Sequence, residues 1–427
     1  MPAHTNRSLL PLFALLLLGF ACGGESGDPG DNPAPAVAGP RDDEPRSADP
    51  RLAQGREALA AGQLDTALTL AEQLGSSSGV EGPLLRARAL FLGRDPIGAL
   101  AAVAEARSLA PTDSRVFATG AEFLALGRRG ADAEDELIRG TELAGPSPDL
   151  ARARAILALT RPGQGAVALA LLNSALEADP GLPYCTWPRS QAELLTGRLV
   201  LGQGDIPAAL EHAASAIELD PDLAEAYELT GDAMSSGGDL IGAIVAYERA
   251  AELGIDVQLS LADVHTRAAM FSRTAGEHLA AEKHYLDALA LGLSREQLSS
   301  GADYLAERAT DAHRAGVAAR IRGQADVAAS EQARALQLDP THVGARHELA
   351  SMRFEILDFA GAALLWRGLF EEELALSGDG ASHLNLARAL VRGGRADRAR
   401  EALEAYLEAW PDGAFFAETQ EMLGRLP

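Results

Sequence analysis

One recurrence constrains this chain more than anything else in it. Counting from residues 48, 80, 114, 149, 190, 224, 262, 309, 343 and 380, the twentieth residue is alanine every time: Ala67, Ala99, Ala133, Ala168, Ala209, Ala243, Ala281, Ala328, Ala362 and Ala399. The eighth is Gly55, Ala87, Ala121, Ile156, Gly197, Gly231, Ala269, Gly316, Ala350 and Ala387, small in every unit but one. The fifteenth is glycine in seven units (Gly62, Gly163, Gly204, Gly238, Gly276, Gly323, Gly394), and the thirty-second is proline in five (Pro111, Pro180, Pro221, Pro340, Pro411). Small side chains at fixed places let two backbones approach closely. Glycine permits the turn between two helices, and proline stops the second one. A hairpin of this kind cannot bury its own apolar stripe, so the units must stack.

Composition agrees with helices. Alanine and leucine dominate, aromatics are 5% of the chain, and Lys283 is the only lysine. Two intervals are long. The one from 149 to 190 carries about seven extra residues around Gly181-Leu182-Pro183-Tyr184-Cys185-Thr186-Trp187-Pro188-Arg189. The one from 262 to 309 carries thirteen, which predicts a lengthened helix, with Ser294 and Gln297 at capping-box spacing.

The segment from Ala224 to Ala250 places Tyr227, Gly231, Gly238, Ala243, Tyr247 and Ala250 at the fourth, eighth, fifteenth, twentieth, twenty-fourth and twenty-seventh positions. This pattern resembles the tetratricopeptide repeat (TPR), a unit of about 34 residues made of antiparallel helices A and B. The resemblance implies an all-α, right-handed superhelical solenoid of about ten hairpins over 48–413, with a capping helix at 414–427 in which Met422 and Leu423 cover the last core layer. Ile255 at the thirty-second position and Leu357 at the fifteenth depart from the pattern.

Ahead of the repeats, Arg7 and the apolar run from Leu9 to Ala21 read as an export signal, too short for a comfortable transmembrane helix. Gly19-Phe20-Ala21-Cys22 resembles the lipobox of bacterial lipoproteins, with Gly19 where that family usually has leucine. The resemblance implies cleavage after residue 21 and acylation of Cys22. It also implies an exported protein lipid-anchored to a bacterial membrane, at the periplasmic face of the outer membrane. Residues 22–47 are rich in Gly, Pro and Asp and read as a flexible tether.

The 61 acidic residues outnumber the 37 basic ones, giving a formal charge of −24. That excludes a duplex nucleic-acid binder, which needs a basic face. The chain has no P-loop, no Gly-x-Ser-x-Gly and no His-Glu-x-x-His. Gly163-Gln164-Gly165-Ala166-Val167-Ala168 follows a helix rather than a strand, so it is no nucleotide fingerprint. The nine histidines are scattered, with His278 and His284 six apart, and each reads as a lone residue rather than a ligand. The acidic runs Asp132/Glu134/Asp135/Glu136 and Glu371/Glu372/Glu373 read as solvated faces. Cys185 has two readings, an intermolecular disulfide or, the one preferred, burial as a small hydrophobe. No cofactor, metal or enzymatic activity is expected.

In TPR proteins, positions 2, 5, 9 and 12 of helix A line a concave groove. Carried across, the resemblance places Leu52 and Arg56 there in the first repeat, Leu84, Arg88 and Phe91 in the second, Leu194 and Arg198 in the fifth, and Leu384 and Arg388 in the last. The sixth repeat contributes an acidic patch, Glu225, Glu228 and Asp232. Arginine recurring at position 9 has two readings: recognition of a peptide's carboxylates, or neutralisation of acids on the adjoining helix. With a single lysine, the lysine-dependent carboxylate clamp of chaperone-binding TPR domains is absent. The function expected is therefore an envelope-anchored scaffold that holds a protein or peptide segment in its groove. A self-associating structural protein is the alternative. An envelope enzyme or solute-capture protein using the groove is a more distant one.

Overall fold

The computed structural model describes residues 49–375 and 380–426. The export signal, Cys22 and the tether lie outside the described residues. Within them the chain is all-α, a succession of ten helix hairpins with no strand. The A helices are Pro50–Ala60, Glu81–Leu92, Ser114–Leu126, Pro148–Leu159, Thr186–Gly202, Ala224–Gly237, Gln258–Thr274, Ser300–Ile321, Val343–Glu355 and Ser382–Arg392. The B helices are Leu64–Leu74, Pro96–Leu109, Gly130–Ala144, Gly165–Ala178, Ile206–Leu219, Leu240–Glu252, His278–Ala290, Ala325–Leu338, Phe359–Ala375 and Ala396–Ala409. None of the described helices is long and apolar enough to cross a membrane.

The hairpins fall into two compact units, up to Val257 and from Gln258. The first holds six hairpins. The second holds four and a closing helix, Phe416–Gly424. The division falls just after Ile255, the thirty-second residue of the sixth repeat.

Local chemistry explains the hairpin ends. Asp95, Asp205, Asp239 and Asp358 directly follow the fifteenth residue, and each accepts a hydrogen bond from a backbone N–H in the first turn of its B helix. Where proline occupies position 32, the residue before it is extended, with φ between −131° and −143° at Ala110, Asp179, Asp220, Asp339 and Trp410. The fifteenth residue is left-handed in all ten turns. The seven glycines do this without a Cβ penalty, whereas Arg94 (φ 64°), Arg128 (φ 61°) and Leu357 (φ 67°) adopt it against their own preference.

The alanines at position 20 form the buried seam. All ten are 0% exposed. On the A helix of the sixth repeat, a Cβ built on Gly231 would sit 2.7 Å from the Tyr247 ring, so glycine lets that ring pack against the backbone. The thirteen extra residues before the eighth repeat build the short helix Arg295–Leu298, with the Ser294/Gln297 capping box in place, and an A helix lengthened to 22 residues. In the other insertion, Leu182 and Cys185 are buried in the core of the fourth and fifth repeats.

The second unit ends in an aromatic cluster. His383 is 0% exposed and stacks on Tyr406 at 3.8 Å between ring centroids. Its Nδ1 donates to the Gly380 carbonyl, and its Nε2 lies 2.6 Å from the Thr419 hydroxyl on the closing helix. Met422 and Leu423 pack against the same core. Burial holds the His383 pKa below the usual histidine value, although its bond to the Gly380 carbonyl works the other way.

Two outcomes are expected from these features. Leu357 is 71% exposed, so Leu357→Gly relieves the left-handed strain while removing little buried surface. The gain is about 0.5–1 kcal/mol after glycine's own entropy cost, read as a higher urea midpoint. For His383, the folded pKa lies below the unfolded value of about 6.5. Above that pH neither state is protonated there; below it the unfolded state takes up the proton first. Stability therefore falls as pH drops through about 6.5, and His383→Gln makes the decline shallower in urea midpoints measured against pH.

Candidate functional site

The A-helix face of the first unit is built from arginines, and each predicted one already has an acidic partner. Arg56 Nη2 lies 3.2 Å from Glu81 Oε2, and Arg88 Nη2 lies 2.7 Å from Glu122 Oε2. Glu81 also takes Arg115 at 2.9 Å, and Glu122 also takes Arg152 at 2.8 Å. Arg152 is 1% exposed and reaches Asp149 at 2.8 Å as well. Its burial opposes a charge, but Glu122 and Asp149 more than offset that, so its pKa is raised and it stays protonated. Each of the two glutamates thus ties together arginines from different repeats.

The insertion folds onto this face. Tyr184, itself left-handed at φ 63°, lies under the Arg88 guanidinium at 4.0 Å, with those of Arg56 and Arg152 at 5.9 and 6.0 Å. The Pro183 carbonyl accepts a hydrogen bond from Arg152 at 3.0 Å. One aromatic ring therefore spans A helices of the first, second and fourth repeats, with cation–π contact to Arg88 closest.

The aliphatic residues predicted for the groove lie deeper than a groove lining. Leu52, Leu84, Leu194 and Leu384 are 2–6% exposed and belong to the hydrophobic core. Phe91 is half-buried and stacks on Phe123 at 4.3 Å. Arg198 pairs with Glu228 at 2.8 Å, and Arg388 pairs with Glu418 at 3.0 Å, both partly exposed.

The fifth and sixth repeats leave an acid surplus. Glu225, Glu228 and Asp232 are all half-buried on the A helix Ala224–Gly237. Asp232 accepts a hydrogen bond from the Tyr247 hydroxyl at 2.5 Å. Burial raises the Glu228 pKa; Arg198 lowers it, and the like charges of Asp232 and Glu225 raise it further.

In the second unit the buried Glu282 is held by Arg308 at 2.7 Å and Arg334 at 2.8 Å. The acidic runs are not all solvated faces. Glu136 is buried against Arg107, and Glu373 accepts hydrogen bonds from the Ser382 backbone and hydroxyl. Arg115 and Glu122 were legible, because they fill positions 2 and 9 of the third repeat. Arg152 was not, since it stands at position 4, where the family pattern has an aromatic.

The chain matches no family model and no characterised protein sequence. Several solved structures resemble it. The TPR domain of P58(IPK) is 16% identical over 88% of this chain and 96% of that one, with a TM-score of 0.27. PilW, a type IV pilus biogenesis factor, is 18% identical over 52% of this chain and 97% of its own, with a TM-score of 0.35. The C-terminal part of a TPR repeat-containing protein from Cytophaga hutchinsonii is 13% identical over 58% and 98%, also at 0.35.

The ion pairs differ sharply in burial, and mutation should separate them. Arg152→Met leaves Glu122 and Asp149 short of a cation in the interior and costs about 3–5 kcal/mol. Arg388→Ala removes a pair whose side chains are 52% and 50% exposed and costs at most about 1 kcal/mol. Chemical denaturation of the two variants gives the comparison.

Proposed function

We propose that this protein is a non-enzymatic scaffold, tethered to a bacterial membrane through an acylated Cys22, that docks a partner protein on the A-helix face of its fifth and sixth repeats. The observation that carries the docking part is the acid surplus there. Two acids and one arginine act on the half-buried Glu228, and burial together with like-charge repulsion raises its pKa. A lysine or arginine of a partner placed beside Glu225 and Glu228 would relieve that repulsion with charge-assisted hydrogen bonds. On the A helices of the first four repeats, Glu81, Glu122 and Asp149 are each paired with arginine, and Tyr184 lies against Arg56, Arg88 and Arg152. The partner class is therefore a basic protein segment. The hairpin array supports a binding role over a catalytic one, since its buried carboxylates Glu81, Glu122 and Glu282 are engaged by arginines of other helices. The anchor rests on the lipobox-like Gly19-Phe20-Ala21-Cys22 and the Gly/Pro/Asp-rich stretch after it.

Two experiments test the proposal. In cells given a fatty-acid analogue, the protein should be labelled and Cys22→Ala should not; an unlabelled wild type removes the anchor. In crosslinking pulldowns, Glu225→Arg with Glu228→Arg should reduce partner recovery about tenfold or more, equivalent to about 1.4 kcal/mol. Wild-type recovery should weaken with added salt. Reversal at the exposed Arg398 should change nothing. Equal recovery from the doubly reversed protein removes the docking surface.

A further inference from the structure

The seventh repeat brings two histidines and an aspartate together from different helices. His265 lies on Gln258–Thr274, and His284 and Asp287 lie on the facing helix His278–Ala290. His265 Nδ1 is 3.0 Å from His284 Nδ1 and 3.7 Å from Asp287 Oδ2. One ligand-capable atom from each of the three falls within 4.8 Å of the others. His265 is 6% exposed, whereas His284 and Asp287 are half-buried, so the cluster has a closed side and a side open to solvent.

The hairpin fixes this distance, and neighbouring repeats show it. Residues nineteen apart meet across the A–B contact again and again. In the fifth repeat Glu193 meets His212 at 2.7 Å; further on, His313 meets Gln332 at 2.9 Å and His347 meets Trp366 at 3.3 Å. In each of those pairs a histidine faces a carboxylate, an amide or an indole, which suffices as a donor–acceptor pair. In the seventh repeat the same crossing holds two imidazoles, and Asp287 sits one helical turn beyond His284 on the same face.

We propose that His265, His284 and Asp287 form a binding site for a divalent transition-metal ion of the Zn2+ class. Two ring nitrogens and one carboxylate oxygen bind the ion, and water takes the open side. The distances suit that chemistry. Metal–nitrogen bonds of about 2.0–2.1 Å at tetrahedral angles separate two ligand nitrogens by about 3.3 Å. The observed 3.0 Å between the nitrogens is close to this, and the carboxylate oxygen lies 3.7 Å from His265 Nδ1. Two imidazoles with a single carboxylate favour zinc, cobalt or nickel over calcium and magnesium, which prefer oxygen-rich sites. A bound ion would crosslink helices A and B of the first hairpin in the second unit. The sequence concealed the site because its ligands lie nineteen and twenty-two residues apart on different helices, and no short metal motif spans that distance.

Titration of the full chain with Co2+ tests the site. One equivalent should produce visible d–d absorption that Zn2+ abolishes by displacement. His284→Gln should remove the absorption. Asp287→Asn should weaken Co2+ binding at least tenfold, comparable with or beyond the loss on removing an outer-shell partner, about 10–100-fold. His212→Gln, in the fifth repeat, should titrate like the wild type. Zn2+ should also raise the melting temperature of the wild type and not that of His284→Gln. If His284→Gln loses helicity, Asp287→Asn decides, because that side chain is 39% exposed and its loss spares the core. Absence of the absorption in the wild type, or its persistence unchanged in Asp287→Asn and His284→Gln, overturns the proposal.

Discussion

Everything in this fold depends on a contact in which side chains are nearly absent. Helices A and B of each hairpin cross where position 20 is alanine and position 8, Ile156 excepted, is small, and all ten alanines are excluded from solvent. Close backbone approach maximises dispersion across the seam but buries little apolar area per residue. A single hairpin stabilised this way is weak, so the array is held by what each repeat finds on its neighbour. The aromatics are few and unevenly spent. The largest cluster, with Trp366, Phe370, Tyr406, Trp410 and Phe415, lies where the tenth hairpin meets the helix Phe416–Gly424.

With so little apolar bulk between repeats, charge completes the interfaces. Glu81, Glu122 and Glu282 are buried, and each is bracketed by two arginines from separate helices. Such groups add little net stability compared with well-packed apolar residues, but losing one partner strands the other in the interior. Their effect is to penalise any stacking register that separates the partners. Arginine suits the task better than lysine because its fork reaches two acceptors while its stem lies along the helix. A chain with one lysine among 37 basic residues is consistent with that geometric demand.

The hairpins were legible in the sequence because their determinants are local and periodic. Alanine at the crossing, glycine in the turn, aspartate after it and proline past the B helix each act within a few residues. The left-handed turns at Arg94, Arg128 and Leu357 show the limit of that reading. There the surrounding hairpin imposes a conformation that the residue itself disfavours. The A-helix face was half legible. Position 9 marked Arg56, Arg88, Arg198 and Arg388, but their partners occupy different columns, Glu81 at position 2, Glu122 at 9 and Glu228 at 5. No single periodicity connects them. Tyr184 was out of reach for another reason: an insertion has no register, so its target on the first and second repeats depends on how the hairpins stack.

Burial and pairing together decide which charges on this chain are available to another molecule. The excess of acid, −24 overall, says little by itself, since many carboxylates neutralise arginines within the fold. An acid paired in the interior contributes almost no field outside, and an acid on a solvated B helix is screened within about 10 Å at ordinary salt. Glu225, Glu228 and Asp232 belong to neither group. They are half-buried, crowded and outnumber the arginine beside them, so their field is less screened than that of fully exposed carboxylates. Bringing a cation to that face adds attraction and also relieves repulsion already present in the free protein. A neutral or acidic segment gains nothing there and is disfavoured. The same arithmetic leaves Arg56, Arg88, Arg115 and Arg152 unselective, because they already have the carboxylates that an acidic ligand would have to replace.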